Sequence, residues 1–166
     1  NPDCSAGSSC IIYFIFNLKG ITTMNKVAIV YWSGTGNTEK MASCIAEGVK
    51  EAGGEAVMLA PGEFSAASFS DYGAVAFGCP AMGSEVLEEA DFEPMFEGVE
   101  GALSGKRIAL FGSYGWGDGQ WMRDWCKRCD DAGANLFDED GLTVNESPDD
   151  SAQEVCRELG RSLAKW

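Results

Sequence analysis

The chain has 166 residues, of which 45% are hydrophobic and 23% charged, a composition that fits one globular domain and suggests neither a disordered chain nor a membrane protein. Lys and Arg number 12 against 26 Asp and Glu, and the net charge of -14 repels nucleic acid and anionic membranes while favouring partners with basic patches. Histidine is absent, which excludes a Ser-His-Asp relay, a His general base and His-ligated zinc.

The first 23 residues differ from the rest, with a Ser, Cys and Gly-rich start and then the apolar run Cys10-Ile11-Ile12-Tyr13-Phe14-Ile15-Phe16. That run is too short to span a bilayer and has no basic region before it, as a signal peptide would require. Residues 1–23 are therefore expected to be an N-terminal extension, non-native or disordered, with the domain spanning 24–166. The seven cysteines are an odd count without the density of a disulfide scaffold and read as reduced thiols in a cytoplasm.

The apolar run at 27–31 is too continuous for a half-exposed strand and suits a central parallel one. Met41, Ala42, Ile45, Val49 and Ala52 then recur at helical spacing until Gly53-Gly54 stops the helix. The pattern repeats with strands at 56–59 and 74–77, a helical stretch within 86–99, a strand at 108–111 and a helix within 120–132. Residues 61–70 read as a loop or short helix. A last strand near 136–144 leads into a closing helix, for which Ser147 is the expected cap and Pro148 the first helical residue. Five alternating units predict an α/β fold, an open parallel sheet with helices on both faces, whose ligand site lies at the carboxyl ends of the strands.

Three small-residue loops leave those ends. Ser33-Gly34-Thr35-Gly36-Asn37-Thr38 stands between a buried strand and a helix N-terminus, where N–H groups, hydroxyls and the helix dipole favour an anion. Glu39 stands where a nucleotide hydrolase would carry lysine and a dinucleotide fold its third glycine, so a terminal monophosphate held by neutral donors is expected. Ser113-Tyr114-Gly115-Trp116-Gly117-Asp118-Gly119 isolates a tryptophan between glycines, where a flat ligand ring offers the surface its neighbours do not. In Cys79-Pro80-Ala81-Met82-Gly83-Ser84-Glu85, Met82 supplies a polarizable cover for the opposite face of such a ring. Gly83 permits backbone geometries closed to other residues, and Glu85 is an acceptor for a ring N–H.

A competing signal is Cys126-Lys127-Arg128-Cys129. A reactive dithiol gains its lowered pKa at a helix N-terminus, whereas this pair falls inside a helix on the face of Trp121, Met122 and Trp125, so both thiols are expected in the core. Another rival is a phosphate-binding module without redox chemistry, against which the Met82 and Trp116 loops argue.

From Met24 onward the sequence resembles the short-chain flavodoxins of anaerobic bacteria. Three segments carry the resemblance: Tyr31-Trp32-Ser33-Gly34-Thr35-Gly36-Asn37-Thr38-Glu39, Gly78-Cys79-Pro80-Ala81-Met82-Gly83-Ser84-Glu85 and Leu110-Phe111-Gly112-Ser113-Tyr114-Gly115-Trp116-Gly117. The resemblance implies a flavodoxin-like sheet of order 2-1-3-4-5 and FMN as the cofactor. It implies that Ser33, Thr35, Asn37 and Thr38 hold the phosphate, with Gly34 and Gly36 in the same loop. Met82 and Trp116 would cover the two ring faces, Gly83 would meet N5 and Glu85 N3. Pro80, Ala81, Ser84, Ser113, Tyr114, Gly115, Gly117 and Asp118 would complete the site. The implied function is a low-potential one-electron carrier, monomeric and cytoplasmic, that replaces ferredoxin between redox enzymes with basic docking patches, and not an enzyme. The alternative on the same fold is a flavin-dependent quinone or nitro-compound reductase, for which no long insertion builds a substrate pocket.

Overall fold

Strand β1, Lys26–Tyr31, carries the predicted central run, and Val27, Ala28, Ile29 and Val30 are all fully buried. The side chains alternate between two layers. Val27 and Ile29 pack with one group of core residues, while Ala28 and Val30 pack with another on the opposite face of the sheet. β1 pairs in parallel with β2, Glu55–Leu59, on one side and with β3, Ala74–Gly78, on the other. β4, Arg107–Tyr114, continues from β3, giving the order β2-β1-β3-β4-β5 that the sequence predicts. The fold is that of a computed structural model describing residues 25–166. The predicted N-terminal extension lies outside those residues.

The fifth position in the sheet differs from the single strand expected at 136–144. It is split into β5, Asn135–Leu136, beside the start of β4, and β6, Leu142–Asn145, beside its end, both parallel. The break is an acidic turn in which the Asp138 carboxylate accepts from the Asp140 N–H at 3.0 Å and Gly141 takes a left-handed φ of 70°.

Helices α1, Asn37–Glu51, and α4, Asp150–Lys165, cover the face of Val27 and Ile29. The two backbones approach closely where Gly48 and Gly160 face each other's helix. A Cβ on Gly48 would overlap the Arg157 carbonyl oxygen, and one on Gly160 the Ile45 carbonyl oxygen. Arg157 and Arg161 then reach from α4 to Glu47 and Glu51 of α1. α4 opens two residues later than predicted: Asp149, not Ser147, is the cap, accepting from the Ala152 N–H at 2.8 Å. Pro148 thus stands before the cap instead of in the first turn, and its carbonyl accepts from Gln153 Nε2 at 3.0 Å.

Helices α2, Phe92–Glu100, and α3, Gln120–Asp131, cover the other face. Arg128 of α3 bonds to both Glu93 and Glu100 of α2 while lying 4.9 Å from the Phe96 ring centroid, which clamps the two helices together. α2 begins well after the start of the predicted stretch, because residues 86–91 form an irregular approach gathered around the buried Glu88.

Candidate functional site

The chain leaves β1 for β2 at one side and returns through β3 at the other, so the strand order reverses between β1 and β3 and a crevice opens at their carboxyl ends. There lies a cavity of about 240 Å³ lined by residues of all three predicted loops: Gly34, Thr35 and Asn37 from the first, Pro80, Ala81 and Met82 from the second, Ser113, Tyr114 and Gly115 from the third. Trp32 and Glu146 line it as well.

The first loop is built around Ser33. Its Oγ accepts from the N–H groups of Gly36 and Glu39, both at 3.2 Å. Gly36 caps α1 with a φ of 95°, a left-handed geometry that favours glycine. Gly34 is small for a different reason: a Cβ there would stand 3.0 Å from the Trp32 ring. Thr38 is 1% exposed, and its hydroxyl lies 2.9 Å from Ser113 Oγ. It therefore ties the first loop to the third, whereas Thr35 lines the cavity.

The second loop turns tightly, with Met82 N–H donating to the Val86 carbonyl at 2.9 Å and Glu85 N–H to the Met82 carbonyl at 2.7 Å. The left-handed residue of this turn is Glu85, φ 52°, and not Gly83. Space around Gly83 is open on the side where a Cβ would stand. Glu85 Oε1 accepts from the Asp118 N–H at 3.2 Å, joining the second loop to the third. Gly117 makes room for that contact, since its φ is 95° and a Cβ would overlap the Glu85 carboxylate.

In the third loop Tyr114 turns toward Trp121, ring centroids 5.5 Å apart, and Asn145 steadies the backbone by donating to the Tyr114 and Gly115 carbonyls at 3.3 and 3.1 Å. Trp116 is left 69% exposed between its glycines. Gly83, Ser84, Glu85, Trp116, Gly117 and Asp118 stand outside the cavity lining. The Asp118 carboxylate is engaged by Arg123 at 2.9 Å.

Sequence reading missed Trp32, Asn145 and Glu146. Trp32 directly follows β1, and the other two end or follow β6, so the strand-end rule that marks the other loops marks them too. Glu146 takes a φ of 59° and donates its N–H to the Tyr114 carbonyl at 2.7 Å.

No Lys or Arg lines the cavity, and Glu146 is its single charged residue among those described. Burial raises the proton affinity of all five described thiols. Burial pushes Cys79, beside the second loop, up to about 12, and Cys126 and Cys129 to about 11 and about 12. Cys126 is 6% exposed and Cys129 fully buried, so the C-x-x-C pair is core, as its helical face predicts. Cys44 and Cys156 are fully buried between the sheet and its helices, and burial raises both, Cys156 to about 12.

The donor set suits a phosphate at the first loop: neutral hydroxyl and amide groups at a helix N-terminus, in a loop kept open by glycines. The exposed indole and Met82 suit a flat ring beside it. Together they define an α/β binding protein for a ligand with a flat ring and a terminal phosphate, and the residues present fit FMN.

The family model for flavodoxin matches residues 29–160. The chain is 46% identical over 136 residues to the flavodoxin of Clostridium beijerinckii, spanning 82% of this chain and 97% of that protein. It is 45% identical over 139 residues to the flavodoxin of Megasphaera elsdenii, spanning 84% and 98%. The solution structure of the two-electron reduced Megasphaera elsdenii flavodoxin superposes with a TM-score of 0.74, at 43% identity over 84% of this chain and 99% of that one. The chain belongs to the flavodoxin family, FMN-binding carriers of electrons and not enzymes. The reductase alternative is not favoured.

Proposed function

We propose that FMN binds noncovalently in the crevice between the three loops and that the chain carries single electrons at low potential between redox enzymes, in place of ferredoxin. The observation that carries this reading is the convergence of a cation-free phosphate loop with an exposed indole at the switch point. FMN when bound supplies a ring that accepts one electron at a time. Ser33, Thr35 and Asn37, with the N–H groups that open α1, would hold its phosphate. Met82 and Trp116 would cover the ring and exclude water, Gly83 would offer its peptide to N5, and Glu85 would exchange its bond to Asp118 N–H for one to N3. The carboxylates of Glu85, Glu89 and Asp124 around a neighbouring cavity of about 340 Å³ suit basic docking patches on the partner enzymes, which the chain would meet as a monomer in the cytoplasm. No described helix is long and apolar enough to cross a membrane.

The test is the visible spectrum of the purified protein during reductive titration. A bound flavin that reduces in two separate one-electron steps supports the carrier. A flavin re-oxidised catalytically by quinone with NADPH, or no flavin at all, overturns it.

The neutrality of the phosphate loop gives a sharper check. Thr35→Ala removes one hydrogen bond to a charged group, worth about 1.5–3 kcal/mol. Isothermal titration is expected to show FMN weakened by that amount and riboflavin nearly unaffected, whereas equal weakening of both would place the phosphate elsewhere. Thr38 is the poorer probe, since its hydroxyl is spent on Ser113.

Residues 1–23 are proposed to be dispensable. A chain beginning at Met24 is expected to bind FMN with unchanged affinity and to melt at nearly the same temperature, and a marked loss of either would refute this.

A further inference from the structure

We propose that Glu88 is a positioning residue for the ring-covering loop, fixing the downstream end of residues 80–87 at the place where Met82, Gly83 and Glu85 must meet the flavin; this rests on the FMN reading above. The upstream end of the loop is held by the sheet. Cys79 N–H donates to the Phe111 carbonyl at 3.1 Å, Ala81 N–H to the Ser113 carbonyl at 3.0 Å, and Trp121 Nε1 to the Cys79 carbonyl at 3.2 Å. The downstream end has no strand to hold it. It is held by Glu88, which is only 6% exposed.

The Glu88 carboxylate accepts from three successive backbone donors, Ala90 N–H at 2.8 Å, Asp91 N–H at 2.9 Å and Phe92 N–H at 2.8 Å. Asp91 occupies the cap position of α2, yet its own side chain makes no capping bond. The orphan donors at this helix start are thus satisfied from upstream, by a side chain that belongs to the loop. Glu88 takes part in no ion pair among the described residues, so the N–H groups alone stabilise its charge. Burial raises its proton affinity, and the three donors outweigh burial and hold the carboxyl below the usual carboxylate range. The residue's backbone closes the loop on itself: Glu88 N–H donates to Cys79 Sγ at 3.3 Å, and the Glu88 carbonyl accepts from Glu93 N–H at 2.8 Å. The two ends of the loop are therefore locked side by side, one to β4 and one to α2.

Losing the carboxylate strands three N–H groups and frees one end of the loop. The cost falls on contacts to the ring, not on those to the phosphate, because 33–38 share no hydrogen bond with Glu88. Titrating FMN and riboflavin into Glu88→Ala is expected to show both weakened by about tenfold or more, with the ratio between them unchanged. Potentiometry is expected to show the two one-electron potentials drawn closer together. Glu88→Gln keeps one acceptor oxygen and recovers part of both losses; should the alanine variant not fold, it is read against the same outcomes. Leu163→Ala, in the core on the other face of the sheet, destabilises the fold without touching the loop and leaves affinities and potentials alone. The proposal is overturned if Glu88→Ala binds both ligands within about twofold of the unaltered chain, if its loss is confined to FMN, or if Leu163→Ala reproduces the same loss and the same narrowing. Failure of the unaltered chain to bind either ligand would instead remove the FMN reading.

Discussion

Replacing Gly160 with alanine is expected to lower the melting temperature by roughly 5–10 °C, the equivalent of about 2–3 kcal/mol in a domain of this size. Helix propensity predicts the reverse, since alanine is favoured over glycine by about 1 kcal/mol inside a helix. The packing decides the sign. A Cβ at Gly160 would stand inside contact distance of the Ile45 carbonyl and the Val49 nitrogen, backbone atoms of α1 that cannot rotate away. The helices must separate, stretching the ion pairs from Arg157 and Arg161 to Glu47 and Glu51 and opening the packing around Cys44, Cys156 and Leu163. Gly48→Ala makes the reciprocal clash with Arg157 and is expected to cost a similar amount. Gly98, exposed on α2 with nothing near its absent Cβ, is the control. Gly98→Ala should stabilise the fold by about 0.4–1 kcal/mol. Thermal and urea melts of the three variants settle the matter, and a Gly160→Ala protein melting at or above the unaltered chain would refute the close crossing.

Trp116→Ala is expected to have the largest effect on the flavin while leaving the fold intact. The indole is 69% exposed, so its removal takes little from the core. Covering one face of it with a ring removes on the order of 100 Å² of apolar surface from water, worth about 2–3 kcal/mol with the stacking contribution included. That corresponds to a rise in Kd of roughly 30-fold to 150-fold. FMN and riboflavin should lose equally, because the indole is proposed to touch the ring and not the phosphate. Water admitted to the uncovered face stabilises the negative charge of full reduction, so the second potential should rise. Gly83→Val is the complement: it disturbs the peptide proposed to face N5 and should lower chiefly the first potential. A Trp116→Ala protein with unchanged ring affinity would place the ring elsewhere.

The parts of the fold legible in the sequence are those in which local pattern and tertiary environment agree. The run at 27–31 is apolar on both sides because both sides are covered, and helix α1 shows its apolar stripe because only one side is. The broken fifth strand was not legible, since Leu136, Leu142 and Val144 continue the apolar pattern across Asp138-Glu139-Asp140-Gly141, and only pairing with β4 shows that the segment touches the sheet twice. The start of α4 lies two residues from its expected place because Ser147 and Asp149 are both good caps, and the choice between them depends on where the chain arrives from β6. The first loop is legible as a run of donors and small residues, position by position. The bonds that assemble the site were not: Thr38 to Ser113 and Glu85 to Asp118 join residues 75 and 33 positions apart, a relation that no local pattern encodes. Glu88 reads in sequence as one acid among several, and only its burial sets it apart.

The five described thiols give the domain a set of internal clocks. Cys44 and Cys156 lie beneath α1 and α4, Cys126 and Cys129 on the inner side of α3, and Cys79 at the root of the ring loop, all of them buried and unpaired. A water-borne alkylating reagent reaches none of them while the fold is closed, and a thiol that stays protonated at neutral pH reacts slowly even when briefly uncovered. Labelling at each position therefore counts openings of its own region. Mass spectrometry of peptides after timed alkylation would rank the two faces of the sheet by how often they part, and flavin added beforehand should slow the clock at Cys79 more than the one at Cys156.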